Sequence, residues 1–349
     1  MRKVSSSITS PLHPLTATRK TLYLQMKKTI LVTGGAGFIG SHLIDSLLLN
    51  PNHHVICIDN FDPFYAVEQK KLNIEAHFKS PNYRFIELDI TDKVTLNESL
   101  IDVANIDTVV HIAAKAGVRP SIQNPYAYQI TNIVGTQNIM DIAVEKNTKQ
   151  FVFASSSSVY GINPEYPWSE KNNVLMPISP YASTKVGGEL MGYTFSHLYK
   201  IRFIALRFFT VFGPRQRPDL AIHQFCKKIM ADENINVYGD GSTLRDYTYV
   251  GDIVKGIEAA MAYDKSIYEI INIGNNQPIK LSALIDEIEH VLAKKAKINH
   301  LPEQPGDVPV TYASIDKAKA LLGYHPDTSL EEGIRQFAAW MQTSNYYKS

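Results

Sequence analysis

At 349 residues and 39.1 kDa the chain exceeds one minimal domain and suits one large α/β unit or two modest ones. Its 44% hydrophobic and 20% charged content excludes a disordered, collagen-like or disulfide-dense protein. The net charge of +1 is uneven: residues 1–28 hold six basic and no acidic side chains, which leaves the remainder at −5. Such a body does not bind nucleic acid through bulk phosphate electrostatics.

Residues 1–26 are basic and rich in Ser, Thr and Pro, without an apolar signal core. They read as a transit peptide, a disordered arm, or a start assigned too early, since Met26 immediately precedes the first strand. No run approaches the roughly 20 apolar residues that span a bilayer, so no membrane anchor is expected. Cys57 and Cys226 belong to no C-x-x-C pair or histidine cluster. They read as reduced core thiols of a cytoplasmic protein without a metal site.

From Lys28 onward, short β-branched runs alternate with helix-period segments, as in parallel βαβ units. Strands are predicted at Thr29–Thr33, His54–Asp59, Arg84–Leu88, Asp107–Ile112, Gln150–Ala154 and Arg202–Arg207. Between them, helices are predicted over Phe38–Leu49, from near Thr91, over Tyr126–Glu145 and from Tyr181. After Gly213 come proline-punctuated loops and scattered elements. These include helices at Leu220–Met230, Val250–Ala262, Ser282–Lys295, Asp316–Leu322 and Leu330–Gln342, and strands at Asn236–Tyr238 and Tyr268–Ile273. The expected fold is α/β: a Rossmann-type doubly wound parallel sheet over 27–212, with a smaller C-terminal substrate-binding lobe that takes up most of 213–349.

The first strand runs into Gly34-Gly-Ala-Gly37-Phe38-Ile39-Gly40. This G-x-x-G-x-x-G spacing turns the backbone tightly and sets a helix N-terminus where a pyrophosphate can bind. A glycine triplet alone is a weak signal, but this one follows a strand, opens a helix, and is answered by Asp59 at the end of the second strand. A carboxylate there accepts ribose hydroxyls and repels a 2′-phosphate, which favours NAD over NADP. The adjoining Asn60, the pair Asp89-Ile90 after the third strand, and the small residues of Ala113-Ala114-Lys115 after the fourth complete the expected cofactor contacts.

Tyr181 and Lys185 stand one helical turn apart, at the start of the helix after the fifth strand. With 19 tyrosines in the chain the spacing alone proves nothing; the position beside the nicotinamide end of the crevice carries the case. An ordinary phenol is a poor base at neutral pH, but a neighbouring ammonium and a cationic nicotinamide favour its phenolate. Tyr181 is then the expected base for a carbinol proton, with Lys185 holding the nicotinamide ribose. Ser156 is the expected relay or carbonyl ligand; a polar strand-end cap is the competing reading for it and its serine neighbours.

These residues resemble the extended short-chain dehydrogenase/reductases that act on nucleotide sugars, from about Lys28 to the C-terminus. Several segments are most similar to bacterial UDP-glucuronate 4-epimerases. They are Asp59-Asn-Phe-Asp-Pro-Phe-Tyr65, Ala113-Ala-Lys-Ala-Gly-Val-Arg119, Phe212-Gly-Pro-Arg-Gln-Arg-Pro-Asp219, Gly239-Asp-Gly-Ser-Thr-Leu-Arg-Asp-Tyr-Thr-Tyr249 and Gln304-Pro-Gly-Asp-Val-Pro309. Two positions depart from the pattern: Gly251 replaces an Asp, and Lys115 replaces the more usual glutamine.

The resemblance also bears on the reaction. Dehydratases of the family carry Asp-Glu just before Val-Tyr-Gly, and glucuronate decarboxylases carry the glutamate. Here Ser157 and Ser158 precede Val159-Tyr160-Gly161, so chemistry at C5 and C6 lacks its acid and base. Inversion at C4 of a UDP-hexuronic acid remains the expected reaction. The alternatives are 4-epimerisation of another UDP-sugar, or NAD binding without catalysis.

The resemblance implies that Arg245 and Arg217 meet the diphosphate and Asp307 the nucleotide ribose, with surface salt bridges as the competing reading for each arginine. It offers Ser158 and Thr210, and more weakly Arg119, for a uronate carboxylate. It also implies a homodimer built from the Tyr126–Glu145 helix and the helix from Tyr181, whose Ile130, Ile133, Val134, Leu190 and Tyr193 alternatively serve the subunit core.

Overall fold

The computed structural model describes residues 27–172, 176–302, 308–344 and 347. The arm 1–26 and Asp307 therefore lie outside the described residues.

Strands and helices alternate through the first half. They run β1 (Lys28–Thr33), α1 (Phe38–Leu47), β2 (His53–Asp59), α2 (Val67–Ile74), β3 (Tyr83–Glu87), α3 (Lys93–Ser99) and β4 (Thr108–His111). Next come α4 (Val118–Gln123), α5 (Pro125–Gln129), α6 (Thr136–Glu145), β5 (Gln150–Ser156), α7 (Pro180–Tyr199) and β6 (Arg202–Phe208). The remainder is β7 (Thr210–Phe212), α8 (Ala221–Met230), β8 (Asn234–Tyr238), β9 (Leu244–Tyr249), α9 (Val250–Ala262) and β10 (Tyr268–Ile273). It ends with β11 (Pro278–Lys280), α10 (Leu281–Leu292), β12 (Lys297–Leu301), α11 (Asp316–Leu322) and α12 (Leu330–Thr343).

Seven parallel strands form the main sheet in the order β10-β6-β5-β4-β1-β2-β3. Its strands read as continuous apolar runs because both faces are covered. Ile30, Val32, Val110 and Val152 point to the side of α1 and α9, whereas Leu31, Val109, Phe151 and Phe203 point to the side of α3, α6 and α7. A separate core formed by Ile222, Phe225, Ile285, Ile288 and Phe337 supports the smaller lobe.

The structure corrects one assignment. Tyr268–Ile273, placed in the smaller lobe by sequence, is the edge strand of the main sheet and pairs with β6. Helix α9 likewise packs against α1. The two units are therefore interleaved along the chain. A strand's local sequence specifies its extended form, not the distant strand that accepts its hydrogen bonds.

The predicted helix over Tyr126–Glu145 is interrupted by a π-helical turn, Ile130–Gly135, between α5 and α6. Such turns rotate the helix face locally and often mark functional positions. This one carries the buried Asn132.

Candidate active site

The glycine turn is shaped by what cannot fit in it. Gly34 has φ +74°, and a Cβ there would lie 2.7 Å from the Ala113 backbone nitrogen. A Cβ on Gly40 would lie 2.3 Å from the Gly34 carbonyl oxygen, so α1 packs directly on the turn. No side chain caps α1 and its first turn has no acidic residue, which leaves its N-terminus suited to an anion.

At the end of β2, Asp59 accepts hydrogen bonds from the backbone nitrogens of Ala36 (3.1 Å) and Phe61 (2.9 Å). Burial pushes its pKa up, against the opposing pull of Lys70 and those two N–H groups. Asn60 donates to Asp89 at 2.8 Å, linking the ends of β2 and β3. An uncapped helix, a turn intolerant of side chains and a carboxylate beyond the next strand together fit an adenine dinucleotide lacking a 2′-phosphate.

At the opposite end, Ser179 caps α7 by accepting from Ala182 N at 3.1 Å, and Pro180 begins the helix. Tyr181 and Lys185 thereby face the end of β5. Lys185 is 4% exposed, donates to the Ala154 carbonyl at 2.6 Å, and lies 5.9 Å from the Tyr181 ring centre. Burial lowers its pKa to about 8, with Glu189 one turn further along acting in the opposite direction.

Tyr181 is raised above the usual phenol range by burial, while the Ser156 hydroxyl and Arg217 act to lower it. Here the Lys185 ammonium meets the Ala154 carbonyl, and burial outweighs the groups that favour the phenolate. Ser156 Oγ also accepts from the Ser158 nitrogen (3.2 Å) and hydroxyl (2.9 Å).

A cavity of ≈ 700 Å³ joins the two ends. It brings together Gly34, Gly37, Phe38, Ile39, Asp59, Asn60, Asp89, Ile90, Ala113, Ala114 and Lys115 with Ser156, Ser158, Tyr181, Lys185, Thr210 and Arg217. The Arg217 guanidinium grips Asp219 with bonds of 2.9 and 2.7 Å and lies 5.2 Å from the Phe64 ring centre. Its loop is tied to α1 by Arg215, which meets Asp45 at 2.7 Å.

Two predicted substrate residues are not among the cavity's described lining. Arg119 is exposed and lies 5.7 Å from the Tyr238 ring centre. Arg245, on β9, donates to the carbonyls of Leu244 (2.9 Å) and Pro309 (3.4 Å). Long arginine stems reach carbonyls and ring faces as readily as a cleft, so chain position alone does not place the guanidinium.

Sequence reasoning also missed Asn132. It accepts from Lys115 N at 2.8 Å, and donates to Lys115 O and Thr184 Oγ1, each at 3.0 Å. It thus joins the loop after β4 to the helix bearing Tyr181. The surrounding stretch also carries Gln129, Thr131, Thr136, Gln137 and Asn138, so nothing in the sequence set Asn132 apart. Among the described residues no group of three or more His, Cys, Asp or Glu is arranged to hold a metal ion.

Fold and site together define a Rossmann-type enzyme with a Tyr–Lys–Ser set beside a dinucleotide cradle. The chain belongs to the family whose model is described as GDP-mannose 4,6 dehydratase, matched over residues 31–337, within the extended short-chain dehydrogenase/reductases. It is 41% identical over 313 residues to a UDP-glucuronate 4-epimerase of Thermodesulfobacterium geofontis, covering 89% of this chain and 95% of that one. Its fold is similar to UDP-glucuronic acid 4-epimerase from Bacillus cereus in complex with UDP-glucuronic acid and NAD. The TM-score is 0.84 and the identity 37%, covering 90% of this chain and 99% of that one. A UDP-N-acetylglucosamine 4-epimerase from Methanobrevibacter ruminantium is also similar, with TM-score 0.83, 32% identity, and coverage of 91% and 99%.

Proposed function

We propose that this NAD-dependent UDP-sugar 4-epimerase acts on a UDP-hexuronic acid, interconverting UDP-glucuronate and UDP-galacturonate. The observation that carries the reading is the makeup of the cavity's sugar end. It offers the hydroxyls of Ser156, Ser158 and Thr210 with the cation of Arg217, while the described lining carboxylates, Asp59, Asp62 and Asp89, follow β2 and β3 at the adenosine end.

NAD, when bound on the glycine turn, supplies the acceptor and donor of the C4 hydride. Tyr181 takes the proton of the 4-hydroxyl, and Ser156 shares that proton and steadies the resulting carbonyl oxygen. Lys185, one turn along α7, holds the nicotinamide ribose and keeps positive charge near the phenolate. The 4-keto sugar must then present its other face while its nucleotide stays anchored. Arg217, which lines the cavity, and Asp307 are assigned to that anchoring.

A 4-keto uronate is a β-keto acid prone to losing CO₂. Ser158 and Thr210 grip its carboxylate through neutral hydroxyls, and no carboxylate at Ser157 or Ser158 is available for elimination. Purified protein given UDP-glucuronate and NAD is expected to yield UDP-galacturonate by chromatography. Turnover of a neutral UDP-sugar without UDP-galacturonate formation would reject the uronate.

We further assign a homodimer. Tyr126, Val134, Leu190 and Tyr193 are 74, 44, 60 and 58% exposed on neighbouring helices, an apolar face suited to a second copy. Light scattering should give about twice the 39.1 kDa chain mass, and a single 39.1 kDa species would refute the assignment. The buried free thiols of Cys57 and Cys226 and a nucleotide-activated substrate suit a cytoplasmic enzyme.

A further inference from the structure

We propose that Lys115 and Asp62 form a clasp over the bound dinucleotide that slows its release. β2 and β4 are not neighbours, because β1 stands between them and ends in the glycine turn. Asp62 follows β2 and Lys115 follows β4, so their 2.7 Å ion pair arches over the end of β1. Both residues line the cavity. A dinucleotide seated on the turn passes beneath that arch.

Both ends of the arch are braced. Asn132 holds the Lys115 backbone by accepting from its nitrogen and donating to its carbonyl. Across the groove, Asp62 N donates to Asn60 Oδ1 at 3.0 Å, and Asp62 Oδ1 accepts from Phe64 N at 3.0 Å. Lys70 Nζ donates to the Asp62 carbonyl at 2.7 Å. With both backbones held, parting the side chains opens the groove without unfolding either loop.

The Lys115 and Asp62 side chains are 33 and 31% exposed, so water can replace each partner and the pair opens at modest cost. That suits a reversible clasp better than a structural strut. A glutamine at position 115 could not make this ion pair. The proposal rests on NAD binding alone and is independent of which sugar is turned over.

The test measures cofactor release. Holoprotein loaded with NADH is chased with excess NAD, and the loss of bound-nucleotide fluorescence is followed for Lys115→Gln, Asp62→Asn and the double variant. Each single change should speed release about two- to fivefold, in line with a partly exposed ion pair. The double variant should release no faster than the faster single, because both remove one interaction. The charge exchange Lys115→Asp with Asp62→Lys should restore slow release.

Unchanged release in both single variants overturns the clasp. Acceleration by Lys115→Gln but not Asp62→Asn also overturns it, because the ammonium then acts on the dinucleotide alone. Failure of the unsubstituted protein to bind NADH would sink the NAD reading itself, whereas binding with unchanged release sinks only the clasp.

Discussion

The glycine turn and the arginine-bearing lobe hold their functional groups by different means. At Gly34–Gly40 the backbone itself is the site, and the loop shape follows from seven consecutive residues packed on the neighbouring strands. In the lobe, and on α4 beside it, function depends on where long side chains end. Arg217 reaches the cavity from a loop braced by Arg215 and Asp45, whereas Arg245 turns to backbone carbonyls and Arg119 to the Tyr238 ring. Backbone-built sites are therefore read safely from contiguous sequence, and sites built from side-chain tips are not.

The largest effect expected is at the chemical centre between these regions. Tyr181→Phe should lower kcat by about 10²–10⁴-fold, the usual range for losing a positioned acid–base group. Bound NAD, measured after denaturing the protein, should remain near stoichiometric. Retained activity would remove Tyr181 as the base.

Arg217→Ala tests the lobe. Loss of a charged contact should raise KM for the UDP-sugar roughly tenfold to a hundredfold. Arg119→Ala should shift KM by no more than about twofold, the scale of an exposed substitution. Equal effects from the two would show that guanidinium placement does not separate them.

Gly40→Ala tests the turn. The added Cβ meets the Gly34 carbonyl oxygen at 2.3 Å, so helix and turn must move apart. Urea denaturation should show a loss of about 1–3 kcal/mol, the usual cost of overpacking. NAD affinity should fall with it. A stable Gly40→Ala protein with unchanged affinity would break the contrast from the side of the turn.

Much of this was legible before the structure. Asp59, Ser156, Tyr181 and Lys185 were singled out from their places at strand ends and helix starts, and the structure lines one cavity with all four. The electrostatics around Tyr181 were not. Lys185 is in its expected place in the chain, yet its ammonium meets the Ala154 carbonyl, a contact set by how α7 lies on β5. The Asn132 bridge was equally hidden, because a π-helical turn within a continuous helical pattern decides which side that residue faces.

By itself, the sequence determined the βαβ rhythm, the glycine turn and the spacing of Tyr181 and Lys185. Each depends on steric and periodic rules acting over a few consecutive residues. Tertiary structure alone decided that β10 joins β6, that Lys115 meets Asp62 across β1, and which arginine faces the cavity. Those outcomes depend on which distant segments the folded sheet makes neighbours, and side chains that look equivalent along the chain then find different partners.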